Sequence, residues 1–91
     1  MKFIVFWEYN ADEIVVVIKK FQKLENERKK YPEIISGPFM FNGEAKGITV
    51  CNAESDEQIV NLHLYHQPEL RLSFVPIMNP ETALDLISQK K

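Results

Sequence analysis

His63 and His66 stand three positions apart in a stretch where Ile59 and Leu62 recur at helical spacing. On a helix, Ile59, Leu62, His63 and His66 share one face, so both imidazoles are expected toward the core. An i, i+3 histidine pair can chelate a metal or set an acid-base group in a cavity. The plainer account is one packed histidine with a hydrogen bond and one sitting favourably near a helix C-terminus. The plainer account is preferred, because a metal needs further ligands and the sequence does not show which side chains lie near. No metal and no cofactor are expected.

Five other positions could do chemistry. Glu8 lies between Trp7 and Tyr9, where an aromatic setting could raise its pKa and make it a general base. It could equally be the solvent-reaching end of its strand. Arg71 with Glu69 could orient an anionic substrate, or pair weakly across a sheet edge. Asn52 is the polar member of an otherwise apolar strand face, so it either touches a cavity or marks the strand's end. Cys51 has no electropositive neighbours in sequence and reads as a small buried hydrophobe.

These residues sit in a chain of 91 residues with 45% hydrophobic and 26% charged residues and a net charge of −2. That length suits one domain, residues 1–91, with a single core. The charge offers no general attraction to nucleic acid or acidic lipid. The basic run Lys19-Lys20, Lys23, Arg28-Lys29-Lys30 is broken by Glu25 and Glu27 and reads as a solvated helix face. The stacking strand of RNA-recognition modules is missing. One cysteine makes no internal disulfide, and no apolar run approaches the ~20 residues that cross a bilayer. Met1-Lys2 leads straight into a strand with no small-residue cleavage site behind it, so a cytoplasmic protein is expected.

Lys2 to Tyr9 is the stretch on which the other elements depend. Phe3, Val5, Trp7 and Tyr9 alternate with Ile4 and Phe6, so the strand is apolar on both sides and needs cover on both. Asn10 and Glu13 have capping-box spacing, and Ile14, Val17, Ile18, Phe21 and Leu24 then predict a helix ending near Lys30. Tyr31 precedes Pro32 and is pushed toward extended geometry. Ile34-Ile35 opens a second strand, interrupted at Gly37-Pro38 and resumed at Phe39-Met40-Phe41, which marks an edge or a bulge. Asn42-Gly43 is a turn signal, and Gly47 is expected to close the hairpin loop before a third strand, Ile48 to Asn52. Ser55 and Gln58 form a second capping box, opening a helix from Asp56 to Tyr65 or His66 that Pro68 ends. A fourth strand follows from Leu70 to Ile77. Asn79-Pro80 then starts a short helix with Ala83, Leu84 and Ile87 as a docking edge.

Two strand-helix-strand units with right-handed crossovers place strands one and three centrally and both helices on one face. The expectation is an α+β, ferredoxin-like βαββαβ chain with a four-stranded antiparallel sheet and a C-terminal helix. The second sheet face is left apolar, which marks an interface, so a homodimer through that face is expected.

The element order and several motifs resemble the dimeric α/β-barrel superfamily, in which two ferredoxin-like sheets pair into a barrel. Met1, Phe3, Val5 and Trp7 are similar to the opening of a family of short microbial proteins of unknown function. Gly47 through Asp56 and Phe74-Val75-Pro76-Ile77 look like later motifs of that family. Muconolactone isomerases are more distantly similar, through Glu54-Ser55-Asp56-Glu57, Pro68 and Pro76. The chain departs from the first family at Gly37-Pro38-Phe39-Met40, where Gly-x-Trp-His is common, and at His66, where a tryptophan often ends the helix. No catalytic set carries over.

The expected function is binding of a small, mostly apolar organic ligand by a homodimer, with Trp7, Asn52, His66 and Arg71 as ligand contacts. The alternative is a cofactor-free acid-base enzyme, an isomerase or monooxygenase-like catalyst. His63 or Glu8 would then move the proton and Arg71 or Asn52 would hold an oxyanion.

Overall fold

Strand β1 (Lys2–Glu8) runs through the middle of the sheet and alternates as its sequence demands. Phe3, Val5 and Trp7 are buried on one side, while Ile4 is half-buried and Phe6 is 41% exposed on the other. Each of the three buried side chains contributes about 2 kcal/mol of apolar burial, which makes β1 the largest block of the core. The computed structural model describes residues 1–24 and 29–89.

With β2 (Glu33–Met40), β3 (Lys46–Asn52) and β4 (Arg71–Pro76), β1 forms an open antiparallel sheet in the order β2-β3-β1-β4. Helices α1 (Ile14–Leu24) and α2 (Asp56–His66) cover one face, and α3 (Pro80–Gln89) follows β4. The fold class is α+β, with strands one and three central as the crossover argument requires.

Several local expectations change. Asn10 opens a single 3-10 turn, Ala11–Glu13, held by the Glu13 amide donating to the Asn10 carbonyl at 2.8 Å, and its side chain caps nothing. The α-helix proper starts at Ile14 and runs through the β-branched stretch that opens it. It does not reach Lys30, because Lys29 and Lys30 lie in a turn; residues 25–28, and with them Arg28 of the basic run, lie outside the described residues. Of the expected stripe, Val17 and Leu24 are buried, whereas Ile14 and Ile18 remain exposed.

Strand β2 is continuous through Gly37-Pro38, but its register with β3 shifts between Ile34 and Ser36 and again between Ser36 and Phe39. It is an edge strand, as Pro38 demands. Gly47 does not close the loop. It lies inside β3, directly opposite Trp7, and Gly43 supplies the positive φ of the turn.

At α2, the Gln58 amide donates to Ser55 Oγ (3.3 Å) and Gln58 Oε1 accepts from the Glu54 amide (2.8 Å), a capping box shifted by one residue. Gln58 Nε2 and Asn61 Nδ2 then donate to the Lys29 and Lys30 carbonyls, which ties α2 to the end of the first crossover, just before β2. Asn79 Oδ1 accepts from the Thr82 amide at 2.8 Å and from its hydroxyl at 2.9 Å, so α3 begins as expected. Its apolar edge does not dock on its own chain, and no residue of α3 is buried.

Candidate functional site

The interior between sheet and helices is built on a file of aromatic rings. Trp7 comes from β1, Phe21 from α1, and Tyr65 and His66 from the last turn of α2. Trp7 and Phe21 centroids are 4.9 Å apart, Phe21 and His66 4.8 Å, and His66 and Tyr65 4.9 Å. Spacings and tilts of this kind suit the quadrupoles of the rings. The indole N–H of Trp7 is satisfied by donating to Thr49 Oγ1 across the strands at 3.1 Å. That contact is possible because Gly47, the neighbour on the same face, has no side chain under the indole.

His66 is only 2% exposed, and its Nδ1 is buried without a hydrogen bond. Burial, helped by the nearby charge of Lys20 and opposed by Glu69, pushes its pKa down to about 4. The ring is therefore neutral at neutral pH, because a cation there would be poorly solvated. Lys20 is held outside it: Nζ meets Glu69 Oε2 at 2.7 Å and donates to the carbonyls of Tyr65 and Gln67. Tyr65 Oη returns a bond to the Lys20 carbonyl at 2.6 Å. This clasp joins α1 to the end of α2 and keeps the positive charge at the surface. It also holds the Glu69 carboxyl below its usual range, chiefly through the hydrogen bond from Lys20.

Two spaces adjoin the ring file. The inner one, bordered by Val5, Trp7, Phe21, Thr49, Cys51 and His66 among others, has a volume of about 10 Å³. That is about the room one water needs, so the core is filled rather than hollow. The outer one is a groove of about 250 Å³ between α1 and β2, lined by Trp7, Ile18, Phe21, Gln22, Pro38 and Met40. Trp7 and Phe21 border both and form the partition between them. Among the described residues, the Gln22 amide gives the groove wall its polar side chain.

The remaining expected residues lie elsewhere. His63 is exposed, with its ring 6.3 Å from Phe74, so the two histidines do not share a core-facing side. A 300° step over three residues separates them enough for the sheet to take one and leave the other. Glu8 and Arg71 point to the open sheet face, where Glu8 Oε2 meets Arg71 Nη2 at 3.5 Å and Oε1 meets Lys46 Nζ at 3.8 Å. Arg71 thus pairs with Glu8 rather than with Glu69, which Lys20 takes. Asn52 lies on that same face at its far end, across from Lys2 and Glu33. The structure therefore brings Trp7 and His66 to the interior and Glu8 and Arg71 together outside, and unites no more of the set.

Cys51 is buried in the inner lining, and burial raises its thiol to about 11. Among the described residues no three His, Cys, Asp or Glu side chains group to hold a metal, and no helix is long and apolar enough to cross a membrane. Thr49, Phe21, Gln22, Pro38 and Met40 were not singled out by residue type. Thr49 carried a signal, as a polar residue on the strand face it shares with Cys51. Compared with known proteins, the chain matches no family model, no curated protein and no solved structure.

Proposed function

We propose that the chain is a ferredoxin-like protein that works as a homodimer through its open sheet face and binds a small, mostly apolar organic molecule. The observation that carries the ligand reading is the groove between α1 and β2: aromatic and aliphatic walls, the Gln22 amide, and Trp7 as its floor. Compact organic molecules suit sites with that composition. The dimer reading rests on Ile4, Phe6, Ile48, Val50 and Val75, which form an apolar field on the uncovered face. Charged residues stand at both ends of that field, Glu8, Lys46 and Arg71 at one and Lys2 and Glu33 at the other, an apolar centre with a polar rim. Face-to-face pairing of two such sheets is the dimeric-barrel arrangement.

Binding stands ahead of acid-base catalysis on geometry. Among the described residues, the lining of the inner space holds no carboxylate to partner His66, and Glu8 lies across the sheet from it, already paired with two cations. The test is a nuclear magnetic resonance titration with p-cresol as the probe. Shifts are expected at Ile18, Phe21, Gln22 and Met40, and Ile18→Lys, at an exposed position, is expected to remove them. Millimolar p-cresol that leaves those signals unmoved overturns the groove as a site.

A further inference from the structure

The chain carries two uncovered apolar surfaces. One is the open sheet face. The other is α3, where Leu84 is 63% and Ile87 58% exposed and Met78, just before the helix, is 60% exposed. The helix is well made, with Asn79 as its cap and Pro80 at its first position, so it is not a frayed tail. Only Ile77 to Asn79 separate it from β4, and the Ile77 amide is tied to the Lys2 carbonyl at 3.0 Å. The result is an elongated subunit of 52 × 31 × 19 Å, with a radius of gyration of 15.0 Å. A packed domain of this length is expected at about 12 Å.

The exposed area measures the mismatch. A folded monomer of 10.6 kDa is expected to expose roughly 5,500 Å², and this chain exposes 6620 Å². The excess, roughly 1,100 Å², is larger than the ~800 Å² that each partner gives to a standard stable interface. A single subunit thus has the surplus surface of one half of a dimer.

We infer that α3 is an exchanged arm: in the homodimer, each copy's α3 lays Ala83, Leu84 and Ile87 against the second copy, over its edge strand β2. Exposed Ile35 and Phe39 are the apolar residues that β2 offers there. In the sheet order β2-β3-β1-β4, the arm leaves from the β4 edge. A two-fold axis parallel to the strands sets that edge over β2 of the other copy, so one operation covers both surfaces in both subunits. Such a contact is isologous and closes at two copies. The inference rests on the homodimer reading above and adds the element that locks it.

The test combines sedimentation equilibrium of the full chain, Leu84→Glu/Ile87→Glu and Phe6→Glu with a mixed-label experiment. In that experiment, Leu and Ile methyl-labelled chain is mixed with unlabelled chain. Since Leu84 and Ile87 are exposed in their own subunit, the double variant is expected to keep its circular dichroism spectrum. The expected result is a full-chain dimer, a dissociation constant raised at least about tenfold by Leu84→Glu/Ile87→Glu, and methyl-to-unlabelled-chain contacts from Leu84 and Ile87. A dimer weakened by Phe6→Glu but not by the double variant, with no such contacts, overturns the arm and leaves the sheet pairing standing. A full chain that stays monomeric at 100 μM overturns both.

Discussion

The indole of Trp7 lies against the bare backbone of Gly47, its direct partner across β1 and β3. A Cβ at position 47 would collide with Cζ2 and Cη2 of that indole and with the Phe39 carbonyl oxygen. The indole cannot shift freely, because its N–H is held by Thr49 and its face by Phe21. Gly47→Ala is therefore expected to cost about 3 kcal/mol, at the upper end for overpacking, read as a lowered urea midpoint. Trp7→Phe in the same chain should return part of that loss, a coupling that a merely unfavourable glycine replacement would not show.

His66 links stability to acid. Its folded pKa, about 4, lies below the ordinary histidine value of 6.5, so between those two values the unfolded chain binds a proton that the folded chain refuses. Stability is complete above pH 6.5, falls as the pH drops toward 4, and loses nothing more from this group below that. The full loss is roughly 3 kcal/mol. Urea midpoints at pH 7.5 and pH 4.5 should show it, and His66→Phe, which keeps a ring between Phe21 and Tyr65, should flatten the difference.

Cys51 is expected to be inert in the folded protein. Burial holds the thiol at about 11, above the 9.0 of a free thiol, and leaves it 2% exposed. Only a thiolate attacks a disulfide reagent. At pH 8 the native chain should release no thionitrobenzoate from Ellman's reagent over the time in which urea-unfolded chain reacts fully. Fast native labelling would mean that the interior opens to solvent.

Lys20 and Glu69 clasp α1 to the end of α2. Lys20→Met keeps the aliphatic stem and deletes bonds to one carboxylate and two carbonyls, with an expected loss of about 1 kcal/mol, because the pair is partly exposed. The sharper readout is the Glu69 carboxyl, whose titration by carbon-detected resonance should move up toward its ordinary range. Glu69 contributes stability above that ordinary range and loses it as the pH falls through the lowered folded value. The variant should therefore differ most from the native chain near neutrality and converge with it in acid.

The sheet order and the strand faces were legible because period-two alternation and capping residues are local signals. Phe3, Val5 and Trp7 declared themselves, as did Ser55 and Asn79. Gly47 was misplaced because glycine beside a turn looks like part of it; only the indole across the strand explains its presence in β3. The histidine pair failed for a related reason. Helical spacing groups residues by sector, but the sheet buries a narrower arc, taking Leu62 and His66 and leaving His63 outside. Lys20 was read as part of a solvated face, and its clasp depends on Glu69 and two carbonyls 45 to 49 positions away. Neither the groove nor the neutral state of His66 has a local signature, since each is made by several elements meeting.

The broken register of β2 has a consequence for how copies can meet. A sheet border with regular, free amides and carbonyls invites another strand to zip alongside, and that kind of growth has no natural end. Here Pro38 removes a donor and two shifts bend the border away from straight, so ladder extension on that flank is discouraged. In the proposed homodimer, contact would then fall to the broad side of the sheet, where assembly stops at a finite particle instead of lengthening into a fibril.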